Sequence, residues 1–115
     1  MYMDNPLFLI PFLIGITLLV AGLILLNYPP KKINSLYGYR TASSMKSKER
    51  WDFAQRYSSI ELIKISALLV LFSLIGIIYY PSKGLAMVLA FILLLLSIVI
   101  LIIRVEKAIK KRFDN

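Results

Sequence analysis

The sequence predicts an all-α integral membrane protein with three transmembrane helices, plus a structured cytoplasmic loop and a short helix between the first two spans. Three observations predict it. Of the 115 residues, 59% are hydrophobic and 17% charged, where a soluble domain has about half and about a quarter. The apolar residues gather into three runs free of charge, 6–26, 65–80 and 84–103. Thirteen of the fourteen Lys and Arg residues lie on one side of those runs.

A bilayer core about 30 Å thick takes about 20 helical residues, so the first and third runs span on length alone. The middle run is shorter, and Ile60, Leu62 and Ile63 extend it, with Lys64 snorkelling to the interface beside Glu61. The first run reads as a retained anchor. Asp4 is the one charge before it, and it runs into Tyr28-Pro29-Pro30 instead of a small-residue cleavage site. The chain thus divides, as one membrane domain, into span 1 (about 6–28), a motif loop (29–46), a cytoplasmic helix running into span 2 (47–80), and span 3 (84–103) with a basic tail (104–115).

Lys31, Lys32, Arg40, Lys46, Lys48, Arg50, Arg56 and Lys64 fall between the first two runs, and Arg104, Lys107, Lys110, Lys111 and Arg112 follow the third. Only Lys83 lies opposite. The positive-inside rule then places the N-terminus outside, with the loop and C-terminal tail in the cytoplasm. Tyr2, Tyr79 and Tyr80 fit an outer aromatic belt, Tyr28 and Trp51 an inner one, where Trp51 reads as an interfacial anchor. The net charge of +8 is accounted for by topology and anionic lipid, so membrane lipids are expected partners and nucleic acid is not.

Pro29-Pro30 ends the first helix. Ser47 is a good N-cap for the next, Glu49 suits its positive end, and Asp52 and Arg56 are spaced as an i,i+4 pair. No breaker follows until Pro81. Phe53, Tyr57 and Ile60 lie on one side of this helix and Trp51, Ala54 and Ser58 nearly opposite, so both sides are expected to pack. Pro81-Ser82-Lys83 forces the last two spans into an antiparallel hairpin. Gly15 and Gly22, Ser66, Ser73 and Gly76, and Ala86, Ala90 and Ser97 supply small-residue stripes for close helix packing. In the tail, Val105, Ala108, Ile109 and Phe113 continue an apolar stripe, with Glu106 spaced to pair with Lys110 and the helix end held on anionic lipid.

The loop carries the chemistry. Ile33, Leu36, Tyr37, Tyr39 and Met45 give it apolar anchors, and Gly38 permits a turn between two tyrosines. Asn34, Arg40, Thr41, Ser44 and Lys46 bring donors and two permanent charges beside Tyr37, Tyr39, Trp51 and Tyr57. Two readings stand side by side. The set holds a phosphate or carboxylate, for which the Arg40 fork is shaped, or Arg40 pairs with Glu49, Asp52, Glu61 or helix C-terminal carbonyls and fastens the loop.

With no His and no Cys, the chain lacks an imidazole base, a haem ligand and a thiolate metal site. Glu49, Asp52 and Glu61 sit among cations that keep them ionised, which makes them poor bases. No catalytic residue, cofactor or metal site is therefore expected. The central thirds of the spans carry no ionisable residue, which argues against transport.

The run Ile33-Asn34, Tyr37-Gly38-Tyr39-Arg40-Thr41, Ser44-Met45-Lys46, then Trp51, Ala54 and Tyr57 ahead of a membrane hairpin, resembles the signature of the SdpI family of bacterial integral membrane proteins. Many relatives have Asn where this chain has Ser47, and the founding protein carries additional spans before the shared portion. The resemblance implies a multi-pass protein of the bacterial cytoplasmic membrane. It also implies immunity or tolerance to a membrane-active peptide toxin or bacteriocin, with Asn34, Tyr37, Gly38, Arg40, Thr41, Ser44, Lys46, Trp51 and Tyr57 as the functional motif. A peptide toxin then joins the lipids as a partner, and a second copy of the chain or another membrane protein is the alternative. The rival class is a small structural or regulatory subunit, or a protein that binds anionic headgroups at the inner leaflet.

Overall fold

The structure, a computed structural model, describes residues 1–114, and all regular secondary structure among them is helical. A single 3₁₀ turn, Tyr2–Asp4, precedes α1 (Pro6–Asn27), α2 (Lys48–Ser73), the one-turn α3 (Ile75–Ile78) and α4 (Lys83–Phe113). Three segments, Pro6–Asn27, Lys48–Ile78 and Lys83–Phe113, are long and apolar enough to cross a membrane. The molecule is elongated, 49 × 26 × 21 Å, longer than the 40–45 Å of a bilayer with its headgroups. The protein is a multi-pass membrane protein with the three predicted spans.

α1 and α2 form the most intimate pair, with α4 packed against both. The small residues make that approach. A Cβ on Gly15 would lie 2.8 Å from Val70 Cγ2, and one on Gly22 2.9 Å from Ile63 Cγ1. Opposite them, buried Ser59 and Ser66 turn their hydroxyls back onto the carbonyls of Arg56 and Ile63, each at 2.7 Å. Their polarity is thereby spent within α2, and the face presented to α1 is smooth and thin.

Ser47 caps α2, its hydroxyl accepting from the Arg50 amide at 3.2 Å. The helix does not run unbroken to Pro81. It tightens at Leu74, whose amide donates back to Leu71 (3.2 Å), and ends at Ile78 with Tyr79 extended. Asn5 supplies the reason. Its Nδ2 donates to the Gly76 carbonyl (3.0 Å) and the Tyr79 carbonyl (2.9 Å), while its Oδ1 accepts from the Leu7 amide at 3.2 Å. One side chain caps the start of α1 and takes carbonyls left open where α3 ends. Gly76 lies so close to the Phe8 backbone that no Cβ fits there. Ser82 caps α4, accepting from the Leu85 amide at 3.3 Å.

α4 continues as one helix from the third apolar run through the basic tail. Val105 and Ile109 are fully enclosed with Ala54, ringed by Tyr39, Phe53, Tyr57, Leu101 and Phe113. The tail stripe is thus a protein core where lipid contact was expected, because the loop and the first turns of α2 cover it.

Candidate functional site

Loop residues 30–46 lie over the start of α2 and the last turns of α4, and each anchor is a specific hydrogen bond. Asn34 Oδ1 accepts from the amides of Leu36 (2.9 Å) and Tyr37 (2.8 Å), a local turn. The Tyr37 hydroxyl donates to the Tyr28 carbonyl at 2.7 Å, tying the loop to the end of α1. Gly38 has φ 105°, a conformation that favours glycine, and a Cβ there would meet Gln55 Oε1 at 2.5 Å.

Gln55, fully buried, reads the next residue as a strand partner would. Its Oε1 accepts from the Tyr39 amide (2.6 Å) and its Nε2 donates to the Tyr39 carbonyl (2.8 Å). Thr41 and Ser44 form a reciprocal turn, with the Thr41 amide donating to Ser44 Oγ (2.9 Å) and the Ser44 amide to Thr41 Oγ1 (3.2 Å). Glu106 of α4 then gathers three loop hydroxyls. Its carboxylate accepts from Tyr39 Oη at 2.6 Å, Thr41 Oγ1 at 2.9 Å and Ser43 Oγ at 2.5 Å. Burial, followed by the bond to this carboxylate, pushes the Tyr39 phenol well above its ordinary pKa.

Arg50 closes the other side. Its Nε donates to the Ser43 carbonyl (2.8 Å) and its two terminal nitrogens grip Asp114 at 2.7 and 3.1 Å, joining loop, α2 and the end of α4. Those bonds hold the Asp114 carboxyl below the usual carboxylate range. Trp51 is fully enclosed, and its indole N–H donates to the Pro30 carbonyl at 2.8 Å. It is therefore an internal clamp where an interfacial anchor was expected.

The motif residues are not gathered into one pocket. Asn34, Tyr37, Gly38, Thr41, Ser44 and Trp51 each fasten the loop. Arg40 and Lys46 are exposed. The Arg40 guanidinium donates to the Ser35 carbonyl and, among the described residues, pairs with none of Glu49, Asp52 or Glu61, of which Asp52 and Glu61 take other cations. Tyr57 lies on the far side of α2, stacked on Phe53 with ring centroids 5.5 Å apart. Two ion-pair expectations change, and the expected Glu61–Lys64 pair is present but Glu61 gains a stronger partner. Asp52 pairs with Lys48 at 2.6 Å instead of Arg56. Glu61 takes Arg104 as its main partner (2.8 and 3.1 Å), with Lys64 at 3.7 Å. Glu106 turns to the loop hydroxyls instead of Lys110.

Gln55, Arg50, Ser43, Glu106 and Asp114 are the clamp residues that the sequence did not reveal. A signal for two of them was available: Gln55 and Glu106 are polar positions beside the buried Trp51–Ala54 and Val105–Ile109 stripes, and such groups must find partners.

The fold and loop together define a small three-span membrane protein whose spans are joined at one end by a polar clamp. The model of the SdpI/YfhL protein family matches residues 31–104, which is more than half of the chain, and the chain belongs to that family. Among curated relatives, "Uncharacterized protein YfhL" of Bacillus subtilis (strain 168) is 43% identical over 56 residues, 49% of this chain and 50% of the relative. The chain thus spans about half the length of the curated relative it matches. No solved structure matches it.

Proposed function

We propose that this chain is a non-catalytic membrane immunity protein of the bacterial plasma membrane, protecting against a membrane-active peptide toxin. Family membership supports the class of function. The observation that carries the mechanism is the inward turn of the motif: Trp51, Ser44 and their partner Gln55 are fully buried, so the motif sets the shape of the bundle. The surface left for an inserted peptide is the lipid-facing side of the spans, where Leu13, Leu95 and Leu96 are more than half exposed. Under the positive-inside rule the clamped basic end is cytoplasmic, and a toxin arriving from outside meets the spans first. There the bundle binds the peptide or shields its target.

The test is survival of a toxin-sensitive Bacillus strain expressing the chain at matched membrane levels. Protection by the wild type and its loss in Trp51→Ala is the expected result. Protection that survives both Trp51→Ala and Arg40→Ala defeats the motif's role, and absence of protection by the wild type overturns the immunity reading.

A second reading, a structural or regulatory subunit, is favoured by the loop's outer side, where Leu36 is 89% exposed beside Tyr37 and Ile33. Copurification of a stoichiometric partner in mild detergent supports it, and a stable homo-oligomer without other protein counts against it.

A further inference from the structure

Beside the clamp, on the far side of α2, a groove of about 600 Å³ runs between α2 and α4. Its floor is Phe53, Tyr57 and Ala108, and its cations are Arg104, Lys107, Lys111 and Arg112, with no carboxylate in the lining. An adjoining cleft of about 670 Å³ shares Phe53, Tyr57 and Arg112 but includes Glu49 and Asp52. An anion is therefore directed to the first.

Three of these cations, Arg104, Lys107 and Arg112, keep donors to offer. Arg104 spends Nε and one terminal nitrogen on Glu61, which leaves its other terminal nitrogen open, and its side chain is 52% exposed. Lys107 is exposed and faces no carboxylate among the described residues. Arg112 lies over the Phe53 ring, 5.1 Å from its centroid, a contact that uses its face and orients its N–H edge without consuming it.

Depth in the membrane decides the kind of anion. Twenty helical residues from Gly84 rise about 30 Å and end at Ile103, so Arg104 stands at the boundary of the hydrocarbon. From Arg104 to Lys111 the helix climbs roughly 10 Å, the depth of the headgroups. One turn toward the hydrocarbon from Arg104 and Lys107, on the same side of α4, Ile100 and Ile103 are both exposed. A ligand that fits has a phosphate at the cations and a hydrocarbon body passing the aromatic floor into the bilayer.

We propose that this groove is a binding site for the headgroup of an anionic phospholipid. The phosphate diester sits among Arg104, Lys107 and Arg112, and the glycerol stem lies against Tyr57 and Phe53. The site shares Tyr57 alone with the motif and none of the loop residues, and it is read without any toxin, so its failure leaves the immunity reading where it stands.

The test is native mass spectrometry of the purified full chain, released from micelles doped equally with phosphatidylglycerol and phosphatidylcholine. The wild type is expected to retain phosphatidylglycerol preferentially. Lys107→Gln with Arg112→Gln is expected to reduce that retention about twenty-five-fold, taking about fivefold for each cation at a membrane surface. Lys31→Gln with Lys32→Gln, which removes the same charge outside the groove, is expected to leave it within about twofold of wild type. Lys107→Gln alone, at an exposed position, guards against misfolding of the double variant and is expected to lose about fivefold. Equal retention of the two lipids, or equal losses in the groove and control variants, overturns the site. Displacement of the lipid by millimolar inorganic phosphate overturns the lipid as its source.

Discussion

The basic end and the opposite half of the bundle hold the same helices by different chemistry. Along the spans, α1 meets α2 and α3 through Gly15, Gly22 and Gly76 with serine hydroxyls folded back, and at the end opposite the basic one a single side chain, Asn5, joins the start of α1 to the end of α3. At the basic end, Gln55, Glu106 and Arg50 satisfy a loop that has little regular structure of its own. In lipid there is no hydrophobic force between helices, so close packing of small residues does the work. At the interface, water competes for every backbone group, and a loop stays in one shape only if buried partners outbid it. The family motif lies at the end where specificity has to be built from hydrogen bonds.

The largest effect expected at the basic end is from Trp51→Ala. It empties an enclosed site and strands the Pro30 carbonyl, at a cost of about 3–5 kcal/mol, measured by denaturant titration in micelles. A cost below about 1 kcal/mol would mean that the clamp does not hold the bundle. Asn5→Ala should cost less, about 1–2 kcal/mol, and should leave the loop as protected from hydrogen exchange as in the wild type. Loss of loop protection in that variant would break the separation between the two ends.

The pH dependence sharpens the comparison. The Tyr39 phenol has a folded pKa raised above its unfolded value by burial and by Glu106. Its contribution is complete below the unfolded value of about 10 and is lost as pH rises through the folded one. Loop protection, taken as exchange relative to an unstructured peptide at the same pH, should therefore fall under strongly alkaline conditions in the wild type, and Tyr39→Phe should lack that fall. The smallest effect belongs to Arg40→Ala. An exposed side chain whose partner is the Ser35 carbonyl should change stability by less than about 0.5 kcal/mol, by the same denaturant titration.

The spans, the hairpin, the Ser47 cap and the two packed sides of α2 were legible in the sequence because each rests on local composition or on a helical period. The clamp was not. Local spacing offers Glu106 a partner in Lys110 and Asp52 one in Arg56, yet Glu106 finds three hydroxyls more than sixty residues away in the loop. Arg104 reaches Glu61 across two helices in the same way. Helical spacing lists the pairs that are possible, and burial chooses among them, because a half-buried carboxylate is stabilised more by three hydroxyls of fixed position than by one solvated ammonium. Trp51 was misplaced for a related reason: a tryptophan near a span end fits a membrane belt until a loop closes over it.

The measurement that tests the clamp most directly is amide hydrogen exchange over residues 31–46 in lipid nanodiscs, comparing the wild type, Arg40→Ala and Gln55→Ala. The amides of Tyr39, Thr41 and Met45, bonded to Gln55, Ser44 and Thr41, should be protected in the wild type and in Arg40→Ala. In Gln55→Ala, protection of the Tyr39 amide should be lost. Exchange of these amides in the wild type at the rate of an unstructured peptide would contradict the account, because the motif would then have no fixed shape to impose on the bundle.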